Sequence, residues 1–182
     1  MNLIPRLETE RLILRELRQD DFEALASFMA DPEVTRYLTG EPMTRSDAWR
    51  SMATTLGHWQ LRGYGIWAVE RKSDGAFMGR VGLLNPEGWP GLEVGWTLGQ
   101  PYWGAGYATE AARTAMNYAF LTQPVERIIS VIDPDNKASQ AVATRLGETR
   151  GERRELVIAG KKYIADLWAI TREEWKKRAL AA

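Results

Sequence analysis

Two hydrophobic periods alternate along the chain. Runs that suit a strand, alternating or continuously apolar, fall at 11–15, 64–70, 77–84, 92–98, 127–132, 155–158 and 163–170. Between them, apolar residues recur at three- and four-residue spacing. Asp20 or Asp21 caps a first helix whose inner face is Phe22, Leu25, Phe28 and Met29, and Asp31-Pro32 ends it. Thr44-Arg45-Ser46-Asp47 opens a second helix, with Trp49, Met52, Leu56 and Trp59 as its stripe and Gly63 as its stop. Ser73-Asp74-Gly75 predicts a hairpin turn. A further helix follows Asp133-Pro134-Asp135-Asn136 and stops at Gly147. Ala159-Gly160 predicts the turn of a terminal hairpin, and Thr171-Arg172-Glu173-Glu174 caps a last helix that carries Trp175. The order is strand, two helices, three strands, helix, strand, helix, two strands, then the short helix. This predicts one α+β or α/β domain over residues 1–182.

The most informative stretch is 92–121. A β-type run at 92–98 leads into the turn Gly99-Gln100-Pro101 and then Tyr102-Trp103-Gly104-Ala105-Gly106. From Tyr107 a helix begins, with Ala108, Ala111, Ala112, Ala115, Met116 and Ala119 on one face. The first N–H groups of a helix have no partner within it, and that end carries partial positive charge. Gly104 and Gly106 have no Cβ, so a phosphate can approach the amides closely. No Asp or Glu lies between Leu98 and Thr109 to repel it. The small-residue stripe lets the helix sit tightly on a sheet.

Composition narrows the chemistry. The chain has 24 basic and 24 acidic side chains, so no large electrostatic footprint for nucleic acid is expected. It has no cysteine, which excludes disulfides, a catalytic thiol and a thiolate metal site. No His, Asp and Glu cluster has metal-site spacing, so no metal is expected. No signal-peptide core and no run of about 18 apolar residues is present. The expectation is a cytoplasmic protein without membrane association. Nothing in the pattern decides between monomer and homodimer.

The segment Trp103-Gly104-Ala105-Gly106-Tyr107-Ala108 resembles the acetyl-coenzyme A loop of the GCN5-related N-acetyltransferases, whose usual form is Gln/Arg-Gly-x-Gly-x-Gly/Ala. Trp103 stands where that family has Gln or Arg. The continuation Tyr-Ala-Thr-Glu-Ala at 107–111 resembles the branch containing the ribosomal-protein N-terminal acetyltransferases. The likeness extends from Leu7-Glu8-Thr9-Glu10-Arg11-Leu12 to Arg172-Glu173-Glu174-Trp175. It implies a mixed α/β fold of α+β class, with a mostly antiparallel sheet flanked by helices. That sheet splays open beside the strand before the glycine loop, and the pantetheine arm enters the split. Acetyl-CoA is then the co-substrate, and the partner is an amine acceptor: a protein N-terminus, a free amino acid, a polyamine, or an amine on an antibiotic or other metabolite. By the same resemblance, residues 34–43 help to wall the acceptor groove.

Acetyl transfer to an amine needs a held pyrophosphate, a polarised carbonyl, a neutral amine and often a proton for the leaving thiolate. No covalent enzyme intermediate is required, so direct transfer in a ternary complex is expected. The pyrophosphate falls to the backbone amides of Trp103, Gly104, Ala105, Gly106, Tyr107 and Ala108, with Thr109 closing the segment. Backbone groups of Trp96, Thr97 and Leu98 suit the amides of the pantetheine arm, although ordinary strand pairing also accounts for them. Asn136-Lys137-Ala138-Ser139 resembles the family's Asn-x-x-Ser, which assigns Asn136 to the pantetheine or thioester end; a plain N-cap explains it equally. Ser139 either donates to the leaving sulfur or merely sits in the first turn. Relatives often use a tyrosine there, but no Tyr lies between Tyr118 and Tyr163, and Glu148 replaces the family's usual Phe after Leu-Gly. Glu93 shares a strand face with Gly91, Gly95 and Thr97 and is the candidate general base; the alternative is a structural carboxylate paired with an arginine. His58, the single histidine, reads as structural or exposed.

Two other classes compete. Gly104-Ala105-Gly106 opens a GxGxxG fingerprint of a dinucleotide oxidoreductase, but Thr109 stands in place of its third glycine and the motif falls past the midpoint of the chain. A non-catalytic acyl-CoA sensor would use the same glycine cradle.

Overall fold

The computed structural model describes residues 4–158 and 161–181. Its elements are β1 (Leu7–Glu8), β2 (Leu12–Arg15), α1 (Phe22–Met29), α2 (Pro32–Thr35), α3 (Arg45–Arg62), β3 (Ile66–Arg71), β4 (Phe77–Leu84), β5 (Glu93–Leu98), α4 (Tyr107–Thr122), β6 (Arg127–Ile132), α5 (Lys137–Leu146), β7 (Thr149–Ile158), β8 (Lys161–Thr171) and α6 (Arg172–Ala181). Eight strands form one sheet in the order β1-β2-β3-β4-β5-β6-β8-β7. Every neighbouring pair is antiparallel except β5 and β6. This is the mixed, mostly antiparallel architecture that the resemblance implied. The turn predicted at Ala159-Gly160 lies outside the described residues.

Each capping expectation has a definite outcome. Thr44 accepts from the Asp47 amide and starts α3, while Gly63, at φ +73°, ends it. Thr171 and Glu174 exchange the two bonds of a capping box at α6. Asp21 precedes α1 but does not cap it. Its carboxylate takes both terminal nitrogens of Arg15, at 2.8 Å each, and the Arg18 amide. The buried Arg15 guanidinium claimed the acid, because an unpaired charge there would cost several kcal/mol. Asp31-Pro32 ends α1 and also begins α2, with Asp31 as N-cap and Pro32 in the first turn; this helix was not anticipated.

The stripe of α3 is shifted from expectation. Ala48, Met52, Thr55 and Trp59 face inward, Leu56 is half-buried and Trp49 is 54% exposed. Trp49 falls off the inner face, and the short Ala48 lets α3 approach α1. The terminal hairpin is longer than predicted, since β7 begins at Thr149 rather than Glu155. β7 is the last strand of the sheet, so residues 150–155 form a solvated edge.

The alanine face of α4 behaves as its spacing required. Ala111, Ala112, Ala115, Met116 and Ala119 are fully buried against the sheet, in the same core as Leu12, Trp67, Val81, Val94 and Ile128. A close helix–sheet approach fixes the start of α4 relative to the end of β5. Replacing Ala115 with Leu should overpack this seam, cost about 1–3 kcal/mol and lower Tm by several degrees. Because the helix carries the glycine turn, the same variant should bind acetyl-CoA more weakly. A Tm series paired with an acetyl-CoA titration checks both.

Candidate active site

The parallel pairing of β5 and β6 stops almost where it starts. Glu93 pairs with Ile129, and the Ile129 amide donates to the Leu92 carbonyl at 2.9 Å. In a continuing parallel ladder the Val131 amide would donate to the Val94 carbonyl. Instead it donates to the Glu93 carboxylate, at 3.2 Å, and Ser130 Oγ reaches the Val94 carbonyl at 3.0 Å. Two side chains therefore replace one backbone rung, and beyond it the strands part. On its other edge β5 stays fully paired with β4, from Glu93 opposite Leu84 to Leu98 opposite Gly79.

Two cavities open along this split. The larger, of about 700 Å³, runs over Trp96, Thr97 and Leu98 of β5, the glycine turn, the first turn of α4 and one face of α5. The smaller, of about 280 Å³, lies on the α3 side among Arg80, Leu84, Trp89, Glu93, Gly95, Ser130 and Tyr163. They share Tyr37, Leu38, Trp96, Thr97, Asn136 and Ser139. Residues Val34, Tyr37 and Leu38, inside the segment expected to wall the acceptor groove, line one or both. Tyr37, Leu38 and Trp103 are 38%, 41% and 47% exposed, an apolar rim around the opening.

The glycine turn has the geometry of an anion cradle. Gly104 and Gly106 sit at φ +75° and +82°, which favours glycine. No heavy atom lies within 4 Å of where a Cβ on Gly104 would be, so the space in front of the turn is open. Arg11 holds the turn from behind: it donates to the Ala105 carbonyl at 3.0 Å, pairs with Glu110 and stacks 4.4 Å from the Tyr107 ring centroid. Glu110, the acid of the first helical turn, is thus neutralised by Arg11 rather than facing the cavity as a free charge. The Trp103 amide is used inside the turn, donating to Gln100 O at 3.1 Å, so the open amides begin at Gly104. The Trp103 indole donates to the Leu98 carbonyl at 2.7 Å and closes one end of the cleft. Thr109 lines the cleft, and its Oγ1 is buried without a partner. Open amides and a neutralised helix start fit a diphosphate.

At the junction of the cavities, Asn136 caps α5 by accepting from the Ser139 amide at 3.0 Å. This uses its oxygen and leaves its NH₂ group for a ligand, so capping and binding coexist. The Trp96 indole donates across the split to Ser139 Oγ at 3.2 Å. A hydroxyl that accepts there keeps its own hydrogen to donate.

Among the described residues Glu93 has no arginine partner. Only 8% of the residue is exposed, and it accepts from the Trp89 indole at 2.6 Å besides the Val131 amide. Burial pushes its carboxyl up to about 7, against the lowering effect of those two donors. His58 stands elsewhere: Nδ1 bonds the Tyr64 carbonyl and Nε2 accepts from the Asn85 amide, which ties α3 to the sheet.

Glu148 is the residue whose role the sequence did not show. It is 4% exposed, and burial, together with the charge of Glu93, pushes its carboxyl up to about 8. Ser130 Oγ lies 3.0 Å from both Glu148 Oε1 and the Val94 carbonyl. One hydroxyl hydrogen cannot fully serve two acceptors, and a protonated Glu148 that donates to Ser130 resolves the conflict. The signal was present in the replacement of an expected Phe by an acid just after Leu-Gly.

A family model for the acetyltransferase (GNAT) domain matches residues 11–149. The chain belongs to the GNAT acetyltransferase family. The protein named YkkB of Bacillus subtilis is 33% identical over 156 residues, covering 81% of this chain and 87% of the relative. The [ribosomal protein uS5]-alanine N-acetyltransferase of Escherichia coli is 26% identical over 184 residues, covering 93% of this chain and 92% of its own length. Among solved structures, an acetyltransferase from Agrobacterium tumefaciens superposes with a TM-score of 0.80 at 32% identity, covering 92% of this chain and 94% of the other. These findings support an acetyl-CoA-dependent acetyltransferase and leave the oxidoreductase reading without support. Among the described residues no helix is long and apolar enough to cross a membrane, and no group of His, Asp and Glu is arranged to hold a metal.

Glu148 generates a stability prediction with a definite sign. Its folded-state value is raised far above the value near 4.5 of an exposed glutamate. Ionisation thus favours the unfolded chain, and stability is lost as pH rises from about 4.5 towards 8. Glu148→Gln keeps a neutral donor to Ser130 and removes that loss. The variant should gain about 1–3 kcal/mol over wild type at pH 8 and little at pH 5, read from Tm at the two pH values.

Proposed function

We propose that this GNAT enzyme acetylates a primary amine by direct transfer from acetyl-CoA in a ternary complex. The observation that carries the reading is the meeting of two cavities across β5, with the anion cradle in one and a buried carboxylate titrating near 7 in the other. The amides of Gly104, Ala105 and Gly106 and the first turn of α4, through Tyr107, Ala108 and Thr109, hold the pyrophosphate of the coenzyme. The freed edge of β5, at Trp96 and the Leu98 N–H, and the side-chain amide of Asn136 align its pantetheine arm, while the Thr97 backbone faces β4. These groups place the thioester at the junction that both cavities share.

Glu93 then serves as the base. A protonated amine cannot attack, and a carboxylate poised near neutrality accepts its proton, directly or through one water, with little driving force wasted. Trp89 and the Val131 amide hold the carboxylate in place. Ser139, with its oxygen engaged by Trp96, offers its hydrogen to the departing sulfur. The E. coli relative acts on a ribosomal-protein alanine by its name, and a protein N-terminus is one acceptor of the class proposed. Free small-molecule amines are the other.

Thiol release from acetyl-CoA, measured against peptides, amino acids, polyamines and aminoglycosides, tests the proposal. Turnover is expected with at least one of these amine classes. The kcat/KM of the wild type should rise with pH through about 7, because the carboxylate form of Glu93 is the active one. Glu93→Gln should lower kcat by about 10²–10³-fold and remove that limb, with acetyl-CoA affinity unchanged. An unaltered pH profile in the variant contradicts the base role.

A further inference from the structure

Arg80 lies in the middle of β4, directly opposite Thr97 of β5, and lines the smaller cavity. On the same face, four residues along β5, stands Glu93, opposite Leu84. The two positions are about 13 Å apart at ~3.3 Å per residue, and their long side chains shorten that gap. Gly95 lies between them in the cavity wall and presents no side chain.

The guanidinium has an unusual set of partners. One terminal nitrogen donates to Thr55 Oγ1 at 3.2 Å and the other to Ser51 Oγ at 2.9 Å, both on α3. Both acceptors are neutral. No carboxylate pairs with it among the described residues, whereas Arg11, Arg15, Arg45, Arg71 and Arg153 each have one. Burial alone pulls its proton affinity down, to about 10, and no neighbouring charge opposes this. A guanidinium has five N–H donors in a fixed fork. Two hydroxyls leave most of that fork unused at the cavity wall. Arg80 is partly buried and lines the cavity, and a partly desolvated cation without an acid is best completed by an anion.

We infer that the acceptor is a primary amine that also carries an anionic group, carboxylate or phosphate, which Arg80 takes while the amine lies at Glu93. This deepens the proposed function and rests on its assignment of the smaller cavity to the acceptor. The arrangement explains why the cation is held by hydroxyls rather than by an acid. Ser51 and Thr55 orient the fork without neutralising it. It also sets specificity by charge: a polyamine or aminoglycoside would bring further cations against an unneutralised arginine. An acidic peptide N-terminus or an amino carboxylate would complete the pair.

The test uses matched amines that differ in one charge. Amino carboxylates of two to six carbons are compared with their amides, O-phosphoethanolamine with ethanolamine, and Glu-containing tetrapeptides with their Gln counterparts. Spermidine and kanamycin form the cationic arm. Wild type should prefer the anionic member of at least one pair by about 30-fold or more in kcat/KM. The favoured pair distinguishes a carboxylate from a phosphate and a free amine from a peptide. In Arg80→Gln that preference should collapse through KM, with kcat for the neutral member and the Kd of acetyl-CoA unchanged, and Arg80→Lys should restore part of it. The unchanged acetyl-CoA Kd shows that the variant is folded. Turnover that favours neutral or cationic amines, or an anionic preference that survives Arg80→Gln, overturns the inference while leaving acetyl transfer intact. Acetyl-CoA binding with no turnover of any amine overturns both.

Discussion

One interrupted rung organises the site. Where the Val131 amide should meet a carbonyl of β5, it meets the Glu93 carboxylate, and the vacated Val94 carbonyl is taken by Ser130. A sheet cannot simply end its pairing in the interior, because every buried amide and carbonyl needs a partner. Supplying those partners from side chains allows β5 and β6 to separate without orphaned backbone. It also draws two acids into the sheet. Glu93 is exposed to one cavity and pushed to about 7, while Glu148, behind Ser130, is pushed to about 8. The group proposed as base is therefore also part of what keeps the split open.

The rest of the molecule holds the two sides of that split at fixed distance. The alanine face of α4 locks the glycine turn to the end of β5, and Arg11 braces the turn through the Ala105 carbonyl and Glu110. On the far side, Asn136 caps α5 and the Trp96 indole spans to Ser139. The side of the smaller cavity is built differently. Its charge is carried by Arg80, which two α3 hydroxyls orient and which no acid among the described residues neutralises. One cavity thus offers backbone dipoles, and the wall of the other carries a guanidinium and a carboxylate on the same face of the sheet.

Much of this was legible in residue order. The strand–glycine turn–alanine helix predicted the cradle because amide exposure, positive φ and close helix packing are local properties of Gly104, Gly106 and the Ala111–Ala119 spacing. The caps Thr44 and Asn136 and the stops Gly63 and Gly147 were equally local. Arg80 and Glu148 were not, since a charge in a strand says nothing about whether its partner is an acid, a hydroxyl or water until the sheet is assembled. Asp21 shows the converse: a residue placed to cap α1 was captured by Arg15, six residues earlier, because burial made that bond worth more. Trp49 also falls outside the inner face that its spacing suggested, because the α1–α3 contact places Ala48 there instead.

The central claim is that the opened edge of β5 and the amides after Trp103 form a single surface for one ligand. Hydrogen exchange of individual amides with and without acetyl-CoA tests this most directly. Protection should increase together at Trp96 and Leu98 and at residues 104–109, with the hairpin of β7 and β8 unchanged. Protection absent from both segments, or confined to one of them, would contradict the account.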